Sequence, residues 1–275
     1  LPNSRLGNFL SDAILWRSHQ ATSVNIDFAF LLNENIRSGW KPAENSSLTQ
    51  QDIDALMPPI DFFKTRNSGL PLVHIYIDGS TLQKLLEINS SVYPLKGPNY
   101  FLHFAGLKAQ YNTSRILFNR VTGAVRNTST QLSGPISFAA DQLYSVVFDW
   151  ITAQRLLVMH RMTSGFLKMD FLDKNGEPVE DLKKFLLNAN KNHISFQQAI
   201  TDYCATFSDM NGNGLADIPQ KYESVQNRIE VQSSMNLHNF MQNPSFVMIV
   251  LIVISLLMLI GVIAVIVILV RRIRA

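Results

Sequence analysis

The side chains able to do chemistry in this 275-residue chain stand mostly alone. Six histidines, His19, His74, His103, His160, His193 and His238, occur singly, and none has the i, i+4 or paired-ligand spacing that builds a metal site. Cys204 is the only cysteine. It has no disulfide partner in the chain and no neighbour that would stabilise a thiolate, so it reads as a small buried apolar residue. There is no Gly-x-Ser-x-Gly elbow, no phosphate-cradling glycine loop and no Gly-x-Gly-x-x-Gly turn, so local motifs assemble neither a nucleophile nor a cofactor cradle. Two clusters remain. Asp209, Asn211, Asn213 and Asp217 set oxygen donors at the first, third, fifth and ninth positions of a calcium-type loop with Gly214 sixth. Gln220 stands where the bidentate carboxylate should be, leaving either a weak calcium site or, the favoured reading, a chain reversal rich in Asx turns. The other cluster is the polar turn Asn33-Glu-Asn-Ile-Arg37, which ends an apolar run.

These groups need a frame. Leu6, Phe9, Leu10, Ala13 and Ile14 share one face at helical spacing, which predicts an N-terminal helix. Ile26 to Leu32, apolar apart from Asp27, predicts a buried strand that delivers the polar turn. Thr49-Gln-Gln-Asp52 has capping-box spacing and opens a short helix ending before Pro58-Pro59. Leu72 to Asp78 predicts a strand, and Ser80-Thr-Leu-Gln83 a second box opening a helix over Thr81 to Ile88. Tyr100 to Phe104, Arg115 to Val121 and Tyr144 to Phe148 predict further strands, and Phe166 to Phe171 an extended segment before the turn Asp173-Lys-Asn-Gly176. Ile151 to Met159, Val179 to Ala189 and Phe196 to Phe207 predict helices. This mixed, non-alternating order predicts an α+β fold, a single mixed-sheet domain over residues 1–230.

Residues 246–270 form an apolar run interrupted only by Ser255 and Gly261. At ~1.5 Å per residue it outreaches a hydrocarbon core of ~30 Å, which predicts one C-terminal transmembrane helix and a lipid bilayer as partner. Arg271, Arg272 and Arg274 follow it in a basic tail, 271–275, whereas the linker 231–245 has no Lys or Arg. That asymmetry predicts a single-pass protein of the cell membrane with its N-terminal domain outside and its C-terminus cytoplasmic. Without the three arginines the 24 basic and 21 acidic residues balance at 21 each, so no nucleic-acid partner is expected. An outward domain whose sequence opens without a secretory signal is expected to be the tail of a longer chain.

Several of these segments, taken in order, resemble a known family. Leu6-Gly-Asn-Phe-Leu-Ser-Asp-Ala13, the strand ending in Ile36-Arg37, Leu48-Thr-Gln-Gln-Asp-Ile53 before a proline pair, and Asp78-Gly-Ser-Thr-Leu-Gln-Lys-Leu-Leu-Glu87 are similar to the C-terminal, substrate-binding domain of the 5'-nucleotidases. Gly69-Leu-Pro-Leu-Val73, Asn112 to Thr122 and Asp209 to Tyr222 are closer to the membrane-anchored bacterial branch of bifunctional 2',3'-cyclic-nucleotide phosphodiesterase/5'-nucleotidases. The resemblance implies that hydrolysis belongs to a separate N-terminal metallophosphatase domain carrying divalent metals, in cis or in trans, and that this chain holds no cofactor of its own. It further implies that Arg37 contacts a nucleoside monophosphate or cyclic nucleotide from a turn that includes Asn33 and Asn35, and that two aromatic residues sandwich the base. Phe62 or Phe63, beside Asp61, and Trp150 stand nearest those places.

The turn also departs from the family, because Leu32-Asn-Glu-Asn-Ile-Arg37 has no glycine and adds Glu34, which could pair with Arg37. A non-enzymatic, membrane-anchored module that has lost its ligand site is therefore the alternative. A calcium-stabilised adhesin domain, resting on Asp209 to Asp217 alone, is a third reading.

Overall fold

The computed structural model describes residues 4–37, 47–57, 69–127, 132–162, 167–189, 192–224 and 226–274. Its strands are β1 (Phe28–Leu32), β2 (Leu72–Asp78), β3 (Leu102–Ala105), β4 (Leu107–Asn112), β5 (Val121–Asn127), β6 (Leu132–Pro135), β7 (Leu143–Asp149), β8 (Phe171–Leu172), β9 (Asn188–Ala189), β10 (Asn192–His193) and β11 (Ile229–Gln232). Its helices are α1 (Arg5–Ala21), α2 (Gln50–Ala55), α3 (Gly79–Glu87), α4 (Tyr93–Lys96), α5 (Trp150–Met162), α6 (Phe196–Cys204), α7 (Leu237–Met241) and α8 (Phe246–Arg274). The mixed sheets and this order are those of an α+β fold.

The main sheet runs β3-β1-β7-β2-β8, with β1 and β7 parallel and the other pairs antiparallel. All five residues of β1 are buried because both of its faces are covered, which is why its sequence is continuously apolar rather than alternating. Phe28, Phe30 and Leu32 face one core, shared with Phe148, Ile75, Leu82 and Leu85, whereas Ala29 and Leu31 face a second core under α1 and α6. Phe30 stacks on Phe148 at 5.5 Å between ring centroids, and Phe148 on Phe171 at 5.5 Å. A smaller sheet, β11-β4-β5-β6, closes the first core from outside.

α1 starts at Ser4, whose Oγ accepts from the Gly7 N–H, and buries Leu10, Ala13 and Ile14. α2 carries the expected capping box, with Thr49 and Asp52 exchanging hydrogen bonds. α3 begins earlier than Ser80: Asp78 is the cap, its Oδ1 accepting from Thr81 N–H at 2.6 Å and from Ser80 Oγ at 3.0 Å. A carboxylate at the end of β2 takes the free N–H groups before the serine can. After α3 one π turn (Ile88–Val92) buries Asn89, whose side-chain amide bonds both the N–H and the C=O of Leu102 like a neighbouring strand.

Three expected elements differ. Residues 115–120 form a loop and only Val121, the first residue of β5, is in a strand, because Arg115 turns fully inward and spends its donors on the carbonyls of Asn119, Val121, Asn239 and Gln242. Residues 179–189 contain a single 3-10 turn, Leu182–Phe185, in place of a helix. Their backbone groups bond instead to the main sheet, Val179 N–H to Phe171 O and Leu187 N–H to Leu72 O. Of the extended segment expected to end at Phe171, only Phe171–Leu172 pairs as a strand among the described residues.

The stretch 231–245, read from sequence as a linker, is bonded to the domain. β11 pairs in parallel with β4, Asn112 bonds both the N–H and the C=O of Ser234, Asn243 donates to Thr122 O, and Ser245 N–H donates to Asn119 Oδ1 at 2.8 Å. From there α8 runs with Phe246–Ile273 long and apolar enough to cross a membrane.

Candidate functional site

β1 and β7 lie side by side in parallel, with Phe30 opposite Phe148, so their carboxyl ends meet although more than a hundred residues separate them in the chain. The carboxyl ends of parallel strands are where open α/β sheets bind ligands. Here the 3-10 turn Asn33–Asn35 leaves β1, and α5 leaves β7.

Asn35 is buried, and its Nδ2 donates to Asp149 Oδ1 at 3.0 Å and to Thr152 Oγ1 at 2.9 Å. Thr152 Oγ1 also donates to Asp149 Oδ2 and accepts from Leu32 N–H. Asp149 caps α5 and is fully buried, and desolvation raises its pKa against the opposing pull of these hydrogen bonds. Asn33 is fixed from the other side. Its Nδ2 donates to Pro98 O at 3.1 Å, and its Oδ1 accepts from His103 Nε2 at 2.9 Å. Burial, together with the charge of Arg228, pulls the His103 imidazole down to about 3, so it is neutral at ordinary pH. Both asparagines therefore brace the turn with their side-chain amides, in the manner expected of buried polar groups.

Arg37 is the group this bracing presents. Its backbone N–H donates to Leu56 O at 2.8 Å, while its exposed guanidinium has no hydrogen bond or ion pair among the described residues. Glu34 pairs with Arg155 of α5 at 2.5 Å and not with Arg37, so this acid is already neutralised and leaves the arginine's charge unpaired among the described residues. A planar fork of donors that stays ionised at any working pH suits a phosphate or ribose oxygen. Trp150, at the start of α5, is half-buried against both cores, and its backbone N–H donates to Pro71 O. Asp61, Phe62 and Phe63 lie outside the described residues.

Sequence reading missed the supports, Asp149, Thr152, His103 and Arg155. Only the Asp-x-x-Thr spacing of Asp149 and Thr152, a helix-capping signature at the end of a strand, could have pointed to them.

The loop from Asp209 to Asp217 is elsewhere, on the surface. Asp209 accepts from the N–H groups of Gly212, Asn213 and Gly214, Asp217 from those of Met210 and Asn211, Asn211 Oδ1 from Asn213 and Asn213 Oδ1 from Leu215. The same backbone donors hold Asp209 below the usual carboxylate range. Its oxygens thus serve Asx turns. Cys204 is half-buried, and burial raises its thiol pKa. The described residues bring no three His, Cys, Asp or Glu side chains together in a group that could hold a metal ion.

No curated protein sequence matches the chain. Among solved structures it is similar to the 5'-nucleotidase precursor of Thermus thermophilus, with 19% identity, a TM-score of 0.48, and coverage of 84% of this chain and 36% of that one. It is also similar to the NAD nucleotidase of Haemophilus influenzae, with 14% identity, a TM-score of 0.46, and coverage of 84% and 33%. The chain spans about a third of the length of these structures. Residues 2–155, which contain β1, the turn, β7 and the start of α5, match the sequence model of the 5'-nucleotidase C-terminal domain. That match covers more than half of the chain, and the chain accordingly belongs to the 5'-nucleotidase C-terminal domain family.

Proposed function

We propose that this chain is the nucleotide-recognition part and membrane anchor of a nucleotidase, binding a nucleoside monophosphate or cyclic nucleotide. The bond-breaking step is assigned to a metallophosphatase domain outside this sequence, acting in cis or in trans. The observation that carries this reading is the exposed guanidinium of Arg37, unpaired among the described residues, on a turn held at the carboxyl ends of two parallel strands by hydrogen bonds from three other segments. Trp150, one residue beyond Asp149, is the proposed stacking partner for the base, at ~1–3 kcal/mol per aromatic face. With α8 across the bilayer and the terminal arginines on the cytoplasmic side, the site faces outward.

The full chain in nanodiscs, titrated with AMP and followed by tryptophan fluorescence, tests the reading. Saturable quenching is expected. Arg37→Ala should weaken it ~10–100-fold, the loss of a charge-assisted contact of ~1.5–3 kcal/mol, and Trp150→Ala should abolish the signal. Affinity unchanged by Arg37→Ala would refute the assignment.

A second reading, a binding or structural module without nucleotide affinity, is favoured by one observation. Asn33, Asn35 and Glu34 are all engaged internally, which leaves Arg37 as the turn's only free side-chain donor among the residues described. No quenching at millimolar AMP would select it.

A further inference from the structure

A cleft of about 560 Å³ opens between α3 and the first turn of α8, far from the Arg37 turn in the chain. Phe118, Leu167, Phe246 and Val247 supply its apolar lining, and Ser80, Lys84 and Lys168 are among its polar lining residues. Its volume is within the range of small-molecule sites. Because Phe246 and Val247 begin the apolar span, the cleft lies at the depth where hydrocarbon gives way to headgroups.

The charge in the cleft is positive. Lys168 pairs with Asp170 at 2.9 Å and Lys84 is 3.9 Å from the same carboxylate, so two ammonium groups share one acid. Glu87 also lines the cleft but brings no accessible negative charge. It is 2% exposed, its oxygens accept from Ser90 Oγ, Ser91 Oγ and Val121 N–H, and desolvation pushes its pKa up. The walls are also fixed in relation to each other. Gln83 of α3 donates to Asn243 O, Ser245 N–H donates to Asn119, and the buried Arg115 clamps the carbonyls of Asn239 and Gln242. Two lysines, an apolar lining and a position at the bilayer surface together describe one kind of occupant.

We infer that this cleft binds the headgroup of an anionic phospholipid, with its phosphate on Lys84 and Lys168 and its upper acyl segment along Phe118 and Phe246. The inference rests on the reading of α8 as a membrane span and is independent of nucleotide binding. The test is native mass spectrometry of the full chain released from nanodiscs containing dioleoylphosphatidylglycerol and dioleoylphosphatidylcholine. One phosphatidylglycerol per chain should be retained in preference to phosphatidylcholine. Affinity for it should fall about fivefold for each lysine removed in Lys84→Gln and Lys168→Gln, since a basic residue at a membrane surface contributes ~1 kcal/mol.

The double variant Lys183→Gln/Lys184→Gln, changed at two exposed lysines outside the cleft, should bind as the wild type does. Glycerol 3-phosphate should not displace the lipid, because it lacks the chain that meets the apolar walls. Equal retention of the two lipids, equal loss in the Lys183/Lys184 control, or displacement by glycerol 3-phosphate would each overturn the proposal. If wild type and variants all stay in the aqueous fraction, the membrane reading itself fails and the site falls with it.

Discussion

Gly7 belongs to the Leu-Gly-Asn-Phe stretch on which the family resemblance partly rests, and its substitution by alanine should show why a glycine is needed there. A Cβ at this position would lie 2.2 Å from His103 Nδ1, 2.3 Å from Cε1 and 2.4 Å from Cγ, against ~3.5–4.0 Å for an ordinary contact. The imidazole has no room to withdraw. It is 3% exposed, packs edge-on against Phe101 at 4.9 Å, and is bonded through Nε2 to Asn33. Overpacking costs ~1–3 kcal/mol, and losing the His103–Asn33 hydrogen bond adds ~1 kcal/mol. Alanine in a helix interior returns ~1 kcal/mol over glycine. Gly7→Ala should therefore destabilise the domain by ~1–3 kcal/mol, which lowers Tm by ~2–4 °C per kcal/mol at this size. The decisive assay is a double-mutant cycle by urea unfolding. In a His103→Ala background the clash is gone, and Gly7→Ala should become neutral or stabilising, giving a coupling of ~2 kcal/mol or more. If Gly7→Ala is stabilising in the wild type, or the coupling is below ~0.5 kcal/mol, His103 does not fill the space above Gly7 and the bracing of the Arg37 turn is wrongly drawn.

His103 also sets a pH dependence. The folded state keeps its imidazole neutral down to about 3, whereas the unfolded chain takes up a proton near the ordinary 6.5, so stability falls as pH drops from 6.5 towards 3, by up to ~1.4 kcal/mol per unit. The raised Glu87 and Asp149 act with opposite slope, so the comparison of wild type with His103→Gln in urea across pH 4–7 isolates the term, and parallel profiles would contradict it. Arg115→Met leaves the carbonyls of Asn239 and Gln242 without their donor and should cost at least ~3 kcal/mol, two charge-assisted bonds of ~1.5 kcal/mol or more each. Hydrogen exchange should quicken across residues 232–245, and unchanged protection there would mean that the segment is held by something else. Titration calorimetry with calcium at millimolar concentration should give no heat, because the oxygens of Asp209 and Asp217 already accept from backbone N–H groups; a saturable signal would show that the loop reorganises around the ion.

Much of this protein could be read from residue types in a row. The buried strand Phe28–Leu32, the capping box at Thr49, the strand Leu72–Asp78 and the span from Phe246 each follow from local periodicity, turn chemistry or length. The limits of such reading are equally local. Residues 115–121 look like a strand because Ile116, Leu117 and Val121 are apolar, but Arg115 is drawn inside by carbonyls contributed from Asn239 and Gln242, and no window of the sequence contains both. Residues 179–189 have the composition of a helix, and the edge of β2 captures their backbone bonds instead. At the candidate site, the family resemblance points to Arg37. Only the parallel pairing of β1 with β7 brings Asp149, Thr152 and Trp150 beside its turn, and only tertiary packing sends Glu34 to Arg155 and leaves the guanidinium unpaired among the described residues. The physical reason is range: capping, amphipathicity and span length are each decided within one contiguous stretch of at most about 25 residues, whereas the partner of a buried polar group is chosen by whichever donors and acceptors folding brings together.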